Sequence, residues 1–254
     1  MSFATFERQA TVAVVTLNRP DRLNAISGAL LADFESALRA AQEDESTAVI
    51  VLTGAGRAFC SGDDLKEFEQ QAESEQSVRA HIEAIQRITR LLLGGPKLVV
   101  GAIHGYAVGG GFEWILNCDL VVADDNLTAF FPEMDWANFV TGGVTHLLPA
   151  TVGYQRAIEL LALGERQSAA RLQEFGVVNW VVPLDQMLPK ALDIAQRIAD
   201  KSAFSVRRLK STIYGDLGEA LWRAVKLEED ATVEAFLRPE AAERVTRFTT
   251  RQRD

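Results

Sequence analysis

The stretch that decides how the chain is read is Leu98-Val99-Val100-Gly101-Ala102-Ile103-His104-Gly105-Tyr106-Ala107-Val108-Gly109-Gly110-Gly111-Phe112-Glu113. Its first six residues form an apolar run of strand length. Three glycines then lead into a helical pattern over 112–118. Glycines at a helix start leave bare backbone N–H groups, where negative charge is favoured. The triplet lacks the G-x-G-x-x-G spacing of a dinucleotide site, and no Gly-Lys-Ser/Thr follows as in a P-loop. Glu113 closes the stretch, and a second carboxyl arrives in Phe131-Pro132-Glu133. Two carboxyls from separate loops can serve as general base and general acid. With amide donors beside them, they describe chemistry next to a carbonyl.

Outward from this stretch, strands alternate with helices. Runs at 12–17, 49–52, 98–103 and 120–123 read as strands, and helical patterns fall at 27–42, 76–93 and 112–118. Ser27 is a candidate cap for the first helix. This alternation predicts an α/β architecture with parallel pairing. One more strand is expected at 177–182. The remainder reads as helix, with patterns at 154–163, 184–200, 204–212 and 217–236, and a boundary is placed near residue 200.

The 254 residues suffice for one large core, or a core with an appended subdomain. Hydrophobic residues make up 48% and charged residues 24%, the balance of a globular chain. There are 26 Lys and Arg against 35 Asp and Glu, a net charge of −9, which argues against a nucleic-acid surface. A few local arginines would still hold a phosphate. Cys60 and Cys118 imply no disulfide framework, and no Cys/His cluster has zinc spacing. The N-terminus does not read as a signal peptide, and no apolar run reaches the roughly 20 residues of a membrane span. A cytoplasmic protein is expected.

A second loop, Gly54-Ala55-Gly56-Arg57-Ala58-Phe59-Cys60-Ser61-Gly62-Asp63-Asp64-Leu65, can aim another backbone N–H at the oxygen faced by the glycine run. Losing one of two such donors costs on the order of 3 kcal/mol. Together with Asn18-Arg19-Pro20, Leu23-Asn24-Ala25, Cys118-Asp119, Pro132-Glu133 and Gly153, these motifs give the chain its resemblance to the crotonase superfamily, the enoyl-CoA hydratase/isomerase family. The matches run almost end to end.

The resemblance implies a ClpP/crotonase-like spiral of ββα units over residues 1–200, with a helical trimerisation region over 201–254 and assembly as a homotrimer or homohexamer. It implies an acyl-CoA thioester substrate and no separate cofactor, coenzyme A being part of the substrate. The backbone N–H groups of Asp63 and Gly110 would hold the thioester oxygen. Glu113 and Glu133 would activate water and protonate the α-carbon, with Glu133 the expected base. Arg22, Ala25, Arg57, Ser61 and Lys66 fall on the coenzyme A side, and Arg251 and Arg253 match a terminal basic pair that reaches a neighbouring subunit's ligand. The implied activity is hydration of a trans-2-enoyl-CoA, with double-bond isomerisation as the alternative.

The sequence departs from the family in two places. Asp63 replaces a commoner alanine. The stretch from Met134 to Gly143, with Trp136 and Asn138, replaces an aliphatic and glycine-rich one. One relative binds RNA through a lysine-rich helix, whereas 76–93 here carries Arg79, Arg87 and Arg90 with no lysine. His104 and His146 are expected to be structural and His81 to lie on a solvated face. Leu217, Leu221, Val225, Leu227, Val233 and Phe236 are expected to be buried by sister subunits.

Overall fold

The computed structural model describes residues 2–251, apart from the side chains of residues 69 and 248–251. The described residues form nine strands: β1 (Ala4–Gln9), β2 (Val12–Leu17), β3 (Val49–Gly54), β4 (Leu98–Ile103), β5 (Tyr106–Val108), β6 (Leu120–Asp124), β7 (Thr128–Phe130), β8 (Gln167–Ser168) and β9 (Trp180–Val182). Six of them form one sheet in the order β1-β2-β3-β4-β6-β9. Only β1 runs antiparallel to its neighbour there. A second sheet has the order β5-β7-β8, its first two strands following β4 and β6 in the chain.

The central strands read as continuous apolar runs because both faces of the large sheet are covered. Ala13, Val15, Ile50, Leu52, Val99 and Ile103 pack towards the helices Gly28–Glu43 and Glu75–Leu93. Val12, Val14, Val49, Val51, Val100 and Val122 pack instead against Met187, Ala191, Ile194 and Ala195 of the helix Leu184–Ala199. Ser27 does cap the first helix, accepting from the Leu30 N–H. Among the described residues, no helix is long and apolar enough to cross a membrane.

The sequence reading misses β1, whose ATFERQ pattern is mostly polar and exposed at the sheet edge. It also misses the short strands of the second sheet, each of three residues or fewer. A single helix, Ala203–Phe236, replaces the two expected at 204–212 and 217–236. Gly215 and Gly218 each cost about 1 kcal/mol of helix propensity, but tertiary contacts at both ends outweigh that. Near the start, Lys210 Nζ donates to Leu92 O, Lys97 O and Asp119 Oδ2 at 2.7–2.9 Å. Further along, Leu221, Val225, Val233 and Phe236 are buried within this chain.

That burial corrects the assignment of these four residues to a subunit contact, because helix Ala203–Phe236 folds back over its own core. Leu227 does stay exposed, together with Phe204, Leu209 and Ile213.

Lys210 ties this helix to the sheet by a largely buried ion pair with Asp119, whose carboxyl is pushed above its ordinary value by burial and drawn back by the ammonium. Lys210→Met strands that carboxylate, and urea unfolding should show a loss of about 3 kcal/mol. Adding Asp119→Asn should restore part of it. A loss of under about 0.5 kcal/mol would class the pair with surface ion pairs.

Candidate active site

The loop after β3 is drawn against β5 by two backbone bonds. Cys60 N donates to Tyr106 O, and Val108 N donates to Cys60 O, each at 3.0 Å. One turn later Ile26 N donates to Gly62 O and Asp64 N donates to Ile26 O. This parallel bridge uses the residues flanking Asp63, so the Asp63 N–H stays out of it. Gly62 has φ +83°, and a Cβ there would stand 2.9 Å from Val108 O. Only glycine allows so close an approach.

On the other side, Gly109 takes φ +52° and opens the helix Gly110–Leu116. A Cβ at Gly109 would lie 2.5 Å from Glu133 Oε1. Gly110 is the first helical residue, so its N–H has no partner a turn earlier. No hydrogen bond engages the N–H of Asp63 or Gly110 among the described residues. The segments carrying both amides thus run side by side with both donors unspent.

Glu113 sits on the same helix and is 2% exposed. Thr141 meets both of its oxygens: N donates to Oε1 and Oγ1 to Oε2, each at 2.7 Å. Burial pushes the Glu113 carboxyl up to about 7, while the two Thr141 donors pull the other way. Glu133 opens a short 3₁₀ turn, Glu133–Trp136, and its buried Oε2 has no partner among the described residues. Burial, reinforced by the charge of Glu113, raises it well above the ordinary carboxylate range. Two carboxyls in one cavity therefore differ in environment: Thr141 donates to both oxygens of Glu113, whereas Glu133 has one oxygen without a partner among the described residues.

The cavity is lined by Asp63, His81, Glu113, Glu133, Trp136 and Phe139, among others. The cavity, of about 30 Å³, has room for a water. The departing stretch after Glu133 therefore forms part of its wall, through Trp136, Asn138, Phe139 and Thr141.

Sequence reasoning missed three contributors. Glu228, from the helix Ala203–Phe236, accepts from Gly143 N, Thr145 N and Thr145 Oγ1 at 2.6–2.7 Å. It latches the turn that carries Thr141, although burial pushes its own carboxyl up to about 8. No local signal marks it; a mid-helix glutamate normally faces solvent. Thr141 stands in the departing stretch with no motif to flag it. His81, expected on a solvated face, is instead buried, with Nε2 3.3 Å from Asp63 Oδ1. The helical pattern placed it on the same face as Val78, Ile82 and Ile85, which are core residues.

Among the expected coenzyme A residues, Arg22, Ala25 and Ser61 lie together. Ser61 N donates to Leu23 O, and Ser61 Oγ lies 3.5 Å from Arg22 O. Asn24, with φ +55°, locks this turn to the next loop by donating to Ala55 O and Ala58 O. Arg57 is exposed on that loop, next to Gly56, which packs on Pro20. Lys66 is exposed too, but no contact joins its side chain to the other four among the described residues. Arg22 is exposed and Ala25 buried. The Arg251 side chain and Arg253 lie outside the described residues. His104 is structural as expected, its Nε2 3.0 Å from Gly56 O.

This geometry coincides with a match to the family model described as enoyl-CoA hydratase/isomerase, over residues 7–253. A putative enoyl-CoA hydratase/isomerase, YngF of Bacillus subtilis, is 32% identical over 95% of this chain and 93% of its own. The mevalonyl-coenzyme A hydratase sidH of Aspergillus fumigatus is 34% identical over 86% of this chain and 78% of its own. A crystal structure of an enoyl-CoA hydratase from Mycobacterium avium subsp. paratuberculosis superposes with a TM-score of 0.88 at 27% identity, covering 99% of this chain and 97% of that one. The fold is that of the crotonases, and the chain belongs to the enoyl-CoA hydratase/isomerase family.

Proposed function

We propose that the chain is an enoyl-CoA hydratase, a lyase that adds water across the 2,3 double bond of an enoyl-CoA thioester. The observation that carries this reading is the pair of buried carboxyls, Glu113 and Glu133, on one cavity with room for water. The thioester oxygen accepts from the Asp63 and Gly110 N–H groups. These fixed donors stabilise the enolate without reorganising as charge develops. Glu113, whose Thr141 donors favour its charged form, takes a proton from water as the oxygen bonds to C3. Glu133, whose burial favours its neutral form, delivers a proton to C2. This division reverses the expectation that Glu133 is the base, and its basis is the hydrogen bonding of the two oxygen pairs.

Arg22, Ala25, Arg57, Ser61 and Lys66 hold coenzyme A in this reading, with no further cofactor. The exposed Phe204, Leu209, Ile213 and Leu227 supply apolar surface for a homotrimer or homohexamer. The likeness to proteins named as hydratases supports the activity. A double-bond isomerase is the second reading, because a proton shuttle needs one carboxyl, and Glu133 stands over Gly109 where it would face the α-carbon of a thioester held at Gly110.

A panel of enoyl-CoA thioesters, from crotonyl to aromatic, followed by loss of enone absorbance, tests the activity. Glu133→Gln should lower turnover roughly 10²–10⁴-fold. Near-normal turnover in a folded variant would remove Glu133 from the chemistry. Glu113→Ala should suppress hydration more than isomerisation; equal loss of both, with no hydration by the unmodified protein, would favour the isomerase.

The pH profile follows from the same assignment. Glu113 must be ionised and rests at about 7, so kcat/KM should fall as pH drops through that value. Glu133 must be protonated, so an alkaline limb should appear at higher pH. An acid limb near pH 4.5, the ordinary glutamate range, would contradict the burial of Glu113.

A further inference from the structure

Asp63 brings a carboxylate to a place where negative charge is unhelpful. Its backbone N–H is one of the two donors proposed for the thioester oxygen, yet its side chain lines the same cavity as Glu113 and Glu133. Its charge adds to the upward push on both glutamates. The groups that face it are few. Helix Gly110–Leu116 contributes Glu113, and the turn Glu133–Trp136 contributes Glu133. Helix Ala203–Phe236 presents the uncharged Thr232 and Phe236. The neighbouring Asp64 is already paired with Arg19 at 2.7 Å, so that guanidinium is spent. Among the described residues on the cavity wall, His81 is the one that can carry positive charge. Its side chain is 6% exposed, and its Nε2 lies 3.3 Å from Asp63 Oδ1.

We infer that His81 is a positioning residue: its ring N–H holds the Asp63 carboxylate against the helix Glu75–Leu93, away from the two amide donors, so that its negative charge does not oppose the one forming on the thioester oxygen. The inference rests on the hydratase reading for its effect on rate, but not for its effect on Glu113. A hydrogen bond to a buried ring fixes the carboxylate's rotamer, and a charge held further from a forming anion costs less. The same bond limits how strongly Asp63 opposes ionisation of Glu113.

Two measurements test this, made on the whole chain. The first is the titration of Glu113 in the unliganded protein by carboxyl ¹³C NMR; the second is kcat and KM with crotonyl-CoA. His81→Leu frees the carboxylate, so Glu113 should titrate at higher pH. Turnover should fall roughly tenfold, equivalent to one charge-assisted hydrogen bond, with KM little changed. His81→Gln keeps an N–H where Nε2 stands and should retain most of the turnover. Asp63→Asn removes the charge, should lower the Glu113 midpoint, and should rescue turnover when combined with His81→Leu. The inference is overturned if a folded His81→Leu leaves both the Glu113 midpoint and turnover unmoved, or if His81→Gln is as impaired as His81→Leu. Should His81→Leu fail to fold, His81→Gln is compared with the unmodified protein, and a roughly tenfold loss of turnover there overturns the inference. A protein that hydrates no enoyl-CoA yet shows the NMR shifts would refute the hydratase reading and uphold the held carboxylate.

Discussion

A carboxylate taken out of water must be met by donors or give up its charge, and much of this molecule is arranged around that constraint at Glu113. Its oxygens are met by one residue, Thr141, through its amide and its hydroxyl. Thr141 holds that position because the next turn is latched by a second buried carboxyl group, that of Glu228. Asn117 adds a bond to Gly142 O from the helix that carries Glu113. The Glu113 carboxyl is thus supported through a chain of contacts that ends on a helix more than a hundred residues later in sequence. Glu133 stands outside this network, with one oxygen bare, and the difference between the two glutamates follows from that.

The parts legible in sequence are those written locally. Leu98–Ile103 is a strand because six apolar residues in a row fit a sheet covered on both faces. The glycine triplet announces a close approach, which the structure realises as Gly109 beneath Glu133. The loop around Asp63 and the helix start at Gly110 do come side by side. The parallel α/β order could be read because strands and helices alternate at short range.

What escaped reading depends on contacts distant in sequence. Thr141 and Glu228 look like ordinary polar residues until the fold brings them to Glu113. The sequence reads as two helices, 204–212 and 217–236, where the structure has one; Lys210 and the buried face from Leu221 to Phe236 keep it whole. His81 shows the limit of periodicity as a guide: its phase along the helix pointed inward, but residue type argued for water, and the Asp63 carboxylate made the inward place tolerable.

The helix Ala203–Phe236 also governs when the site can exist. A chain leaves the ribosome from its N-terminus, so Glu113, Glu133 and the sheet emerge well before Glu228. Until residue 228 has emerged and its helix has docked, the turn at Thr141 lacks its latch, and Glu113 lacks a firm partner for its charge. The residues of the sheet and the two glutamates of the cavity thus leave the ribosome ahead of the residue that latches the Thr141 turn, and a chain ending before residue 228 would lack that latch altogether.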